Sequence, residues 1–402
     1  MKAIYEKYGL TPVINARSSA TLLGAAQVGP YIREVVADSL GLSFAMAELQ
    51  KRASQEIASF TGAEAGCVTA CTAAGLSVAV AACMTGRDPH RIKELPRVEG
   101  LKDEVVIEKG HVISAGDAPM YQVVRITGAT LIEVGEAADC GVFQLEASLM
   151  EQTACALYVI TPRSSEAGLI DLETFIEVCH SKDVPVIVDA ADGRGLREIV
   201  ALGADIVIAS GHKWICGPTS GILAGRKELI QACYMQEMGI GRMMKAGKES
   251  VIGVIAALEV LKRDGWAGRH PHQRRLIEMM VDRLSHLKGL RVASVSPLDS
   301  PAACWLRVDV DGESVPFTAW QLTQQLEQGI PSIKTHDYDV RLGYFHIEPF
   351  FLSEDDAQLI CSRLEEAYHQ LANQSSVKAE AGSRGPTRLD RVADIYRTWL
   401  GD

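Results

Sequence analysis

Ser210-Gly211-His212-Lys213-Trp214 sits just past an apolar, strand-like run and is followed at once by the glycine-broken Gly217-Pro218-Thr219-Ser220-Gly221. A single lysine at the end of a buried strand, behind small or polar residues, is the arrangement an enzyme needs to hold an aldehyde cofactor as a Schiff base. Val186-Ile187-Val188-Asp189-Ala190-Ala191-Asp192 reads as an apolar strand ending in an acid, Asp189, 24 positions before Lys213. Pyridoxal phosphate becomes an electron sink only while its ring nitrogen is protonated, and a carboxylate buried against that nitrogen raises its pKa. Asp189 is the candidate for that partner. An aspartate at a strand end is by itself an ordinary feature of α/β proteins. Two residue types in one context, with a helix at 196–202 between them, select the cofactor reading.

A third element should bind the phosphate, and Thr69-Ala70-Cys71-Thr72-Ala73-Ala74-Gly75-Leu76 supplies it. Small residues that open a long apolar helix leave backbone N–H groups at its N-terminus, where the helix dipole also favours an anion. Thr72, Ala73 and Ala74 form the candidate phosphate cup. Small residues also start helices simply for close packing, so the weight lies in the order of the parts.

That order, phosphate cup, then acid, then lysine, resembles the fold-type I pyridoxal phosphate enzymes, and Ser-x-His-Lys resembles their class V aminotransferase and cysteine desulfurase branch. The resemblance assigns Ser210 and His212 to the phosphate and places His111, in Val106-Ile107-Glu108-Lys109-Gly110-His111, on the cofactor ring. A loop histidine without that context reads as a solvated or packed residue. Two departures stand out. Asp192 occupies a position where cysteine desulfurases carry glutamine, and Ser164-Ser165 replaces the asparagine pair before Glu166-Ala167-Gly168. Both positions normally bond the phenolic oxygen of the cofactor. No cysteine can be placed on a catalytic loop, so a standard desulfurase is not expected.

A closer resemblance spans residues 8 to about 370. Thr11-Pro12-Val13-Ile14-Asn15-Ala16 is similar to the opening motif of the selenocysteine synthase-like family, and Ala129 to Gly135, Ala201 to Asp205 and Gly239 to Glu249 are similar to its later blocks. The last block, with Gly221 to Ile230, points to the metabolic branch that includes D-glucosaminate-6-phosphate ammonia-lyase. A net charge of −11 lacks the basic excess of a protein gripping a tRNA backbone. The family motif begins at residue 11, so no amino-terminal RNA-binding domain of the selenocysteine synthase kind is expected. The basic run at 269–275 reads as a solvated helix start.

Strand and helix signals alternate from about residue 55 to 260, which predicts a mostly parallel sheet with helices on both faces. The seven strands are expected at 67–70, 104–108, 130–134, 156–161, 186–189, 206–209 and 221–224. A helix at 250–262 leads to a smaller α+β domain with strands at 291–295, 303–310 and 340–346 and helices at 318–328 and 354–371. The expected organisation is an amino-terminal segment at 1–50, a large cofactor-binding domain at 51–262, a small domain at 263–372, and a linker with a terminal helix at 373–402. The 47% hydrophobic content includes no apolar run long enough to span a bilayer, and residues 1–8 have no signal-peptide core. Ten cysteines without a C-x-x-C pair fit a reducing compartment, so a cytoplasmic enzyme is expected, with no membrane or nucleic-acid partner. No metal site is expected, His270 and His272 having no matched ligands.

An amino acid substrate needs a partner for its carboxylate, and the planar fork of arginine suits two oxygens. Arg341 resembles the carboxylate arginine of class V enzymes, and Arg163 and Arg17 are the other candidates. Arg242, Lys245 and Lys248 are candidates for a phosphate or for a neighbouring subunit, and the resemblance implies at least a homodimer. The expected chemistry is removal of an α-proton by Lys213, loss of a β-substituent such as hydroxide, and hydrolysis of the aminoacrylate to a 2-oxo acid and ammonia. The expected substrate is an amino acid or amino-sugar acid. A racemase using His111 or Asp192 as second acid/base, an aldolase, a transferase and a non-catalytic relative are the rival readings.

Overall fold

The computed structural model describes residues 2–115, 118–161, 168–265, 270–296, 304–373 and 385–401. They fall into two compact units, 25–265 and the combination of 1–24 with 266–402.

The larger unit is built on seven strands: β1 (Ala65–Thr69), β2 (Glu104–Glu108), β3 (Thr130–Val134), β4 (Thr153–Val159), β5 (Val186–Asp189), β6 (Ile206–Ser210) and β7 (Gly221–Gly225). They pair in the order β1-β7-β6-β5-β4-β2-β3, with β7 antiparallel to both neighbours and every other pairing parallel. Every residue of β1, β4, β5, β6 and β7 is buried. Strands covered on both faces read as continuous apolar runs rather than alternating ones, and that is the pattern of these segments.

Helices α1 (Met46–Thr61), α2 (Thr72–Thr85) and α3 (Lys248–Asp264) cover this sheet. Successive residues of a strand point to opposite faces. Gly66 of β1 lies against Ile57 of α1, whereas its neighbour Cys67 joins the core that α2 forms with Leu223, Ile206 and Ile208, so α1 and α2 lie on opposite faces. Helix α2 is apolar on every side, with Gly75 through Ala82 all buried. A Cβ on Gly75 would lie 2.9 Å from Leu223 Cδ1, so glycine lets the start of α2 sit close on the sheet.

In the second unit, β8 (Leu290–Val295), β9 (Trp305–Val310) and β11 (Tyr344–Ile347) form an antiparallel sheet, and β10 (Ser332–Thr335) pairs in parallel with Val13–Ala16. Leu306, Val308, Val310, Phe345 and Ile347 point into a core shared with α4 (His270–Leu284), α5 (Ala319–Glu327) and α6 (Glu354–Asn373). The alternate positions Trp305, Arg307, Asp309, Tyr344 and His346 are only half-buried and form the other face. The first 24 residues belong to this unit because Val13–Ala16 finds its hydrogen-bonding partner in β10.

The expected strand at 340–346 is shorter than its sequence implies. Val340–Leu342 is a 3-10 turn closed by Gly343 at φ 91°, a left-handed conformation that ends extended chain, and β11 begins only at Tyr344. The terminal helix α7 (Arg388–Arg397) is opened by Thr387, whose hydroxyl accepts from the Asp390 N–H. Most of the expected linker, 374–384, lies outside the described residues.

A Cβ at Gly221, the first residue of β7, would collide with the Cys71 carbonyl at the start of α2. Gly221→Ala is therefore expected to cost about 1–3 kcal/mol, seen as a lower urea midpoint with an unchanged slope. An unaltered midpoint would show that the α2 entry can shift.

Candidate functional site

Strands β1, β2, β4, β5 and β6 run the same way, so their carboxyl ends share one edge of the sheet, where open α/β sheets place their ligands. Asp189 ends β5 there, paired across to Val159 of β4 and Ile208 of β6. It is 5% exposed, and its Oδ1 has no hydrogen-bond partner. Burial pushes its carboxyl up to about 6, opposed by the charge of Lys213 and by the Ala191 N–H. A buried acid with an unused oxygen is a costly feature unless a donor or cation meets it.

Lys213 follows β6 in a tight loop. The Gly211 N–H bonds to the Ser220 carbonyl at 3.0 Å and the Gly217 N–H to the Gly211 carbonyl at 2.7 Å, so the chain turns back into β7 within a few residues. Inside that loop the Ser220 N–H donates to His212 Nδ1 at 3.3 Å, and Ser210 Oγ lies 3.2 Å from the same nitrogen. The donation from Ser220 assigns the ring proton to Nε2. Burial first, then the neighbouring Lys213 charge, lowers His212 to about 4, so the ring is neutral at ordinary pH.

The first-turn N–H groups of α2 have no intrahelical partner. Cys71 caps the helix, its Sγ accepting from the Ala74 N–H at 3.4 Å, a weak bond that leaves the helix start suited to a stronger anionic acceptor. Thr72, Ala73 and Ala74 are all partly exposed at this end, while the following turns are buried.

His111 lies just past β2 with 2% exposure, and neither ring nitrogen has a hydrogen-bond partner. Its ring packs on Tyr158 with centroids 4.2 Å apart, and burial lowers it to about 4, the Val159 backbone opposing this only partly. Beneath it sits Glu108, which the sequence reading passed over. Its Oε1 is 3.7 Å from His111 Nε2 and its Oε2 accepts from the Ile170 N–H at 3.2 Å. Burial raises this carboxyl as well, so both members of the pair favour their neutral forms.

Asp192 is engaged within the chain. Arg194 forks onto its Oδ2 through Nε at 2.9 Å and Nη2 at 2.5 Å, the Arg194 N–H bonds Oδ1 at 2.8 Å, and the guanidinium lies 4.6 Å over the Trp214 ring beside Lys213. Arg194 was not among the expected residues. Its sequence signal is the Asp-Gly-Arg spacing, which lets an aspartate bond the backbone two residues on.

The anchoring candidates divide between the units. Arg17 is largely buried in the smaller unit, 3.6 Å from Asp337 and 4.5 Å over the Tyr338 ring, and these neighbours raise its pKa despite the opposing effect of burial. Arg341 belongs to the same unit and is exposed on the Val340–Leu342 turn. Arg163 and the Ser164-Ser165 pair lie outside the described residues. In the larger unit, Lys248 donates to the Leu40 carbonyl at 2.9 Å and also to that of Leu42, so its amine closes a helix end. Arg242 and Lys245 are exposed, and their charges act on Glu237, whose carboxyl burial raises.

The donor set fits pyridoxal phosphate: an anion site at the α2 start, a neutral His212 with its proton on Nε2, an unused Asp189 oxygen and the amine of Lys213. Residues 92–309 match the family model described as aminotransferase class-V. D-glucosaminate-6-phosphate ammonia lyase of Salmonella typhimurium is 33% identical over 371 residues, covering 92% of this chain and 99% of that protein. The 5'-C-glycyluridine monooxygenase-decarboxylase of a Streptomyces species is also 33% identical, over 364 residues, covering 90% and 91%. A solved structure of D-glucosaminate-6-phosphate ammonia-lyase superposes with a TM-score of 0.84 at 33% identity, over 92% of this chain and 99% of that one.

Because the folded protein holds Asp189 at about 6 against an ordinary 3.8, stability is lost as pH rises through that interval. In cofactor-depleted protein, Asp189→Asn is thus expected to be more stable to unfolding than wild type at pH 7.5, by up to about 3 kcal/mol, and to melt higher, with the gain vanishing towards pH 4. A variant that melts lower at neutral pH would mean that Asp189 is already paired in the apoprotein.

Proposed function

The chain belongs to the aminotransferase class-V family of pyridoxal phosphate enzymes, and from that premise we propose that it is an ammonia-lyase acting on a hydroxylated, sugar-derived amino acid. The observation that carries this reading is the match to D-glucosaminate-6-phosphate ammonia lyase along 99% of its length. Bound pyridoxal phosphate would supply an aldehyde for amine exchange and a ring that accepts the electron pair left by the α-proton.

Each residue then has a task set by its surroundings. Lys213 Nζ would hold the aldehyde and, once displaced by the substrate amine, take the α-proton. Asp189 would keep a proton on the ring nitrogen, its buried charge stabilised by that same proton. The N–H groups of Thr72, Ala73 and Ala74, with Ser210 and His212 Nε2–H, would hold the phosphate. The neutral, apolar-packed His111 would cover the ring without adding charge, and Asp192, already neutralised by Arg194, would lie by the phenolic oxygen. In the net reaction the substrate loses its α-hydrogen and β-hydroxyl as water, and one water hydrolyses the product to a 2-oxo acid and ammonia, so atoms balance without an oxidant. Arg17, Arg163 and Arg341 are the candidates for the substrate carboxylate, since the planar fork of arginine suits its two oxygens.

The equal identity to the 5'-C-glycyluridine enzyme keeps an oxygen-using decarboxylation as the second reading. We place the enzyme in the cytoplasm as at least a homodimer; all ten cysteines are thiols, which supports a reducing compartment, and among the described residues no helix is long and apolar enough to cross a membrane.

Holoenzyme supplied with D-glucosaminate-6-phosphate and a panel of hydroxylated D- and L-amino acids is expected to release ammonia and 2-oxo acid in equal amounts without consuming oxygen. Lys213→Ala should lower that rate by at least about 100-fold. Oxygen uptake with carbon dioxide release would transfer the assignment to the second reading; inversion without ammonia would make the protein a racemase.

A further inference from the structure

In the smaller unit, we propose that His336, Asp339 and His346 form a binding site for a first-row divalent transition-metal ion, zinc above all. One ligand atom from each of the three lies within 4.8 Å of the others. A tetrahedral zinc with bonds of about 2.0–2.1 Å spaces its ligands by about 3.3 Å, so small side-chain rotations close the site.

The backbone brings the two histidines together. The His336 N–H bonds the His346 carbonyl at 2.8 Å, and the His346 N–H bonds the His336 carbonyl at 2.9 Å. Directly opposed residues of an antiparallel pair point to the same face with their Cβ atoms about 5 Å apart. Both imidazoles therefore start from a spacing that two ligands of one ion require. Asp339 enters from the turn between them. The face is the one the alternation of β9 and β11 turns away from the apolar core, so the site is reachable.

The surroundings fix these rings. Trp305 packs against both, with centroids 5.6 Å from His336 and 5.5 Å from His346, and Tyr338 and Tyr344 each pack edge-on against one of them. Rings held this way lose little freedom when they ligate. His346 Nδ1 is buried without a hydrogen-bond partner, which a ligated ion or a bond formed on ligation would satisfy. Glu348 Oε1, 3.9 Å from His336 Nε2, is placed to ligate fourth or to orient that ring. Of the three aspartates nearby, Arg307 forks onto Asp309 and Asp337 pairs with Arg17 and Arg391, and Asp339 is the one grouped with the two histidines. The segment from His336 to His346 carries Arg341, so a bound ion would clamp the turn that displays it.

Holoenzyme stripped of metal by chelator and dialysed should be titrated with Zn²⁺ and, separately, with Co²⁺, whose visible ligand-field bands report its ligands. Wild type is expected to take one Zn²⁺ per chain at this site, and His346→Ala and Asp339→Asn should each weaken it by at least about tenfold. His90→Ala, at an exposed histidine elsewhere, and Lys213→Ala should leave it unchanged. No binding by wild type, or undiminished binding by a folded His336→Ala/His346→Ala variant, overturns the proposal. If those variants fail to fold, the Co²⁺ spectrum of wild type decides: nitrogen and oxygen ligand-field bands support the site, and a thiolate charge-transfer band places the ion on a cysteine and overturns it.

Discussion

A carboxylate as deeply buried as Asp189 is tolerable only if it takes up a proton or meets a fixed positive partner, and the larger unit is arranged around that requirement. The carboxyl stands at the end of β5, between two parallel neighbours, where the sheet supplies rigidity and no solvent. Lys213 reaches the same edge because β6 also ends there and its loop is folded back by the Gly211 and Gly217 hydrogen bonds. The antiparallel β7 then brings Gly221 against the Cys71 carbonyl, which ties the lysine loop to the entry of α2. Asp189, Lys213 and the start of α2 are thus set by one sheet edge and one return strand.

The charges near that edge are few, and the two histidines add none. His111 and His212 are both lowered to about 4, chiefly by burial. A neutral imidazole can donate through one nitrogen and pack through its face without adding a charge beside Asp189 and Lys213. In a poorly solvated site each remaining charge acts more strongly than it would in water. Restricting the ionised groups therefore sharpens the effect of those that stay.

Much of this was legible in the sequence. Five of the seven strands could be read because segments buried on both faces are continuous apolar runs, and Asp189 and Lys213 could be read because one closes such a run and the other follows one closely. What the sequence hid depends on contacts between distant segments or on side-chain aim. Val13–Ala16 is too short and too ordinary to be read as a strand until β10 lies beside it. The 340–343 turn carries apolar residues that suit a strand, and only the left-handed Gly343 breaks it. Glu108 looks like one more strand-end acid, its importance coming from a burial that no local pattern announces. His336 and His346 are ten positions apart with no metal-ligand spacing, and only the hydrogen-bonded bridge between their backbones sets them side by side.

Asp192 is the clearest case of a departure balanced nearby. Where the resemblance to cysteine desulfurases implies an uncharged glutamine, an isolated carboxylate would add a negative charge at the sheet edge. Arg194, two residues on, directs two guanidinium N–H groups onto one oxygen of that carboxylate and itself lies 4.6 Å over the Trp214 ring. The pair as a whole is neutral, its geometry fixed by a short turn and an aromatic face, and its positive member lies beside the lysine loop. A position read alone as an added negative charge becomes, with its partner, an ordered dipole. The charge presented here is that of the Asp192–Arg194 unit rather than of Asp192 by itself.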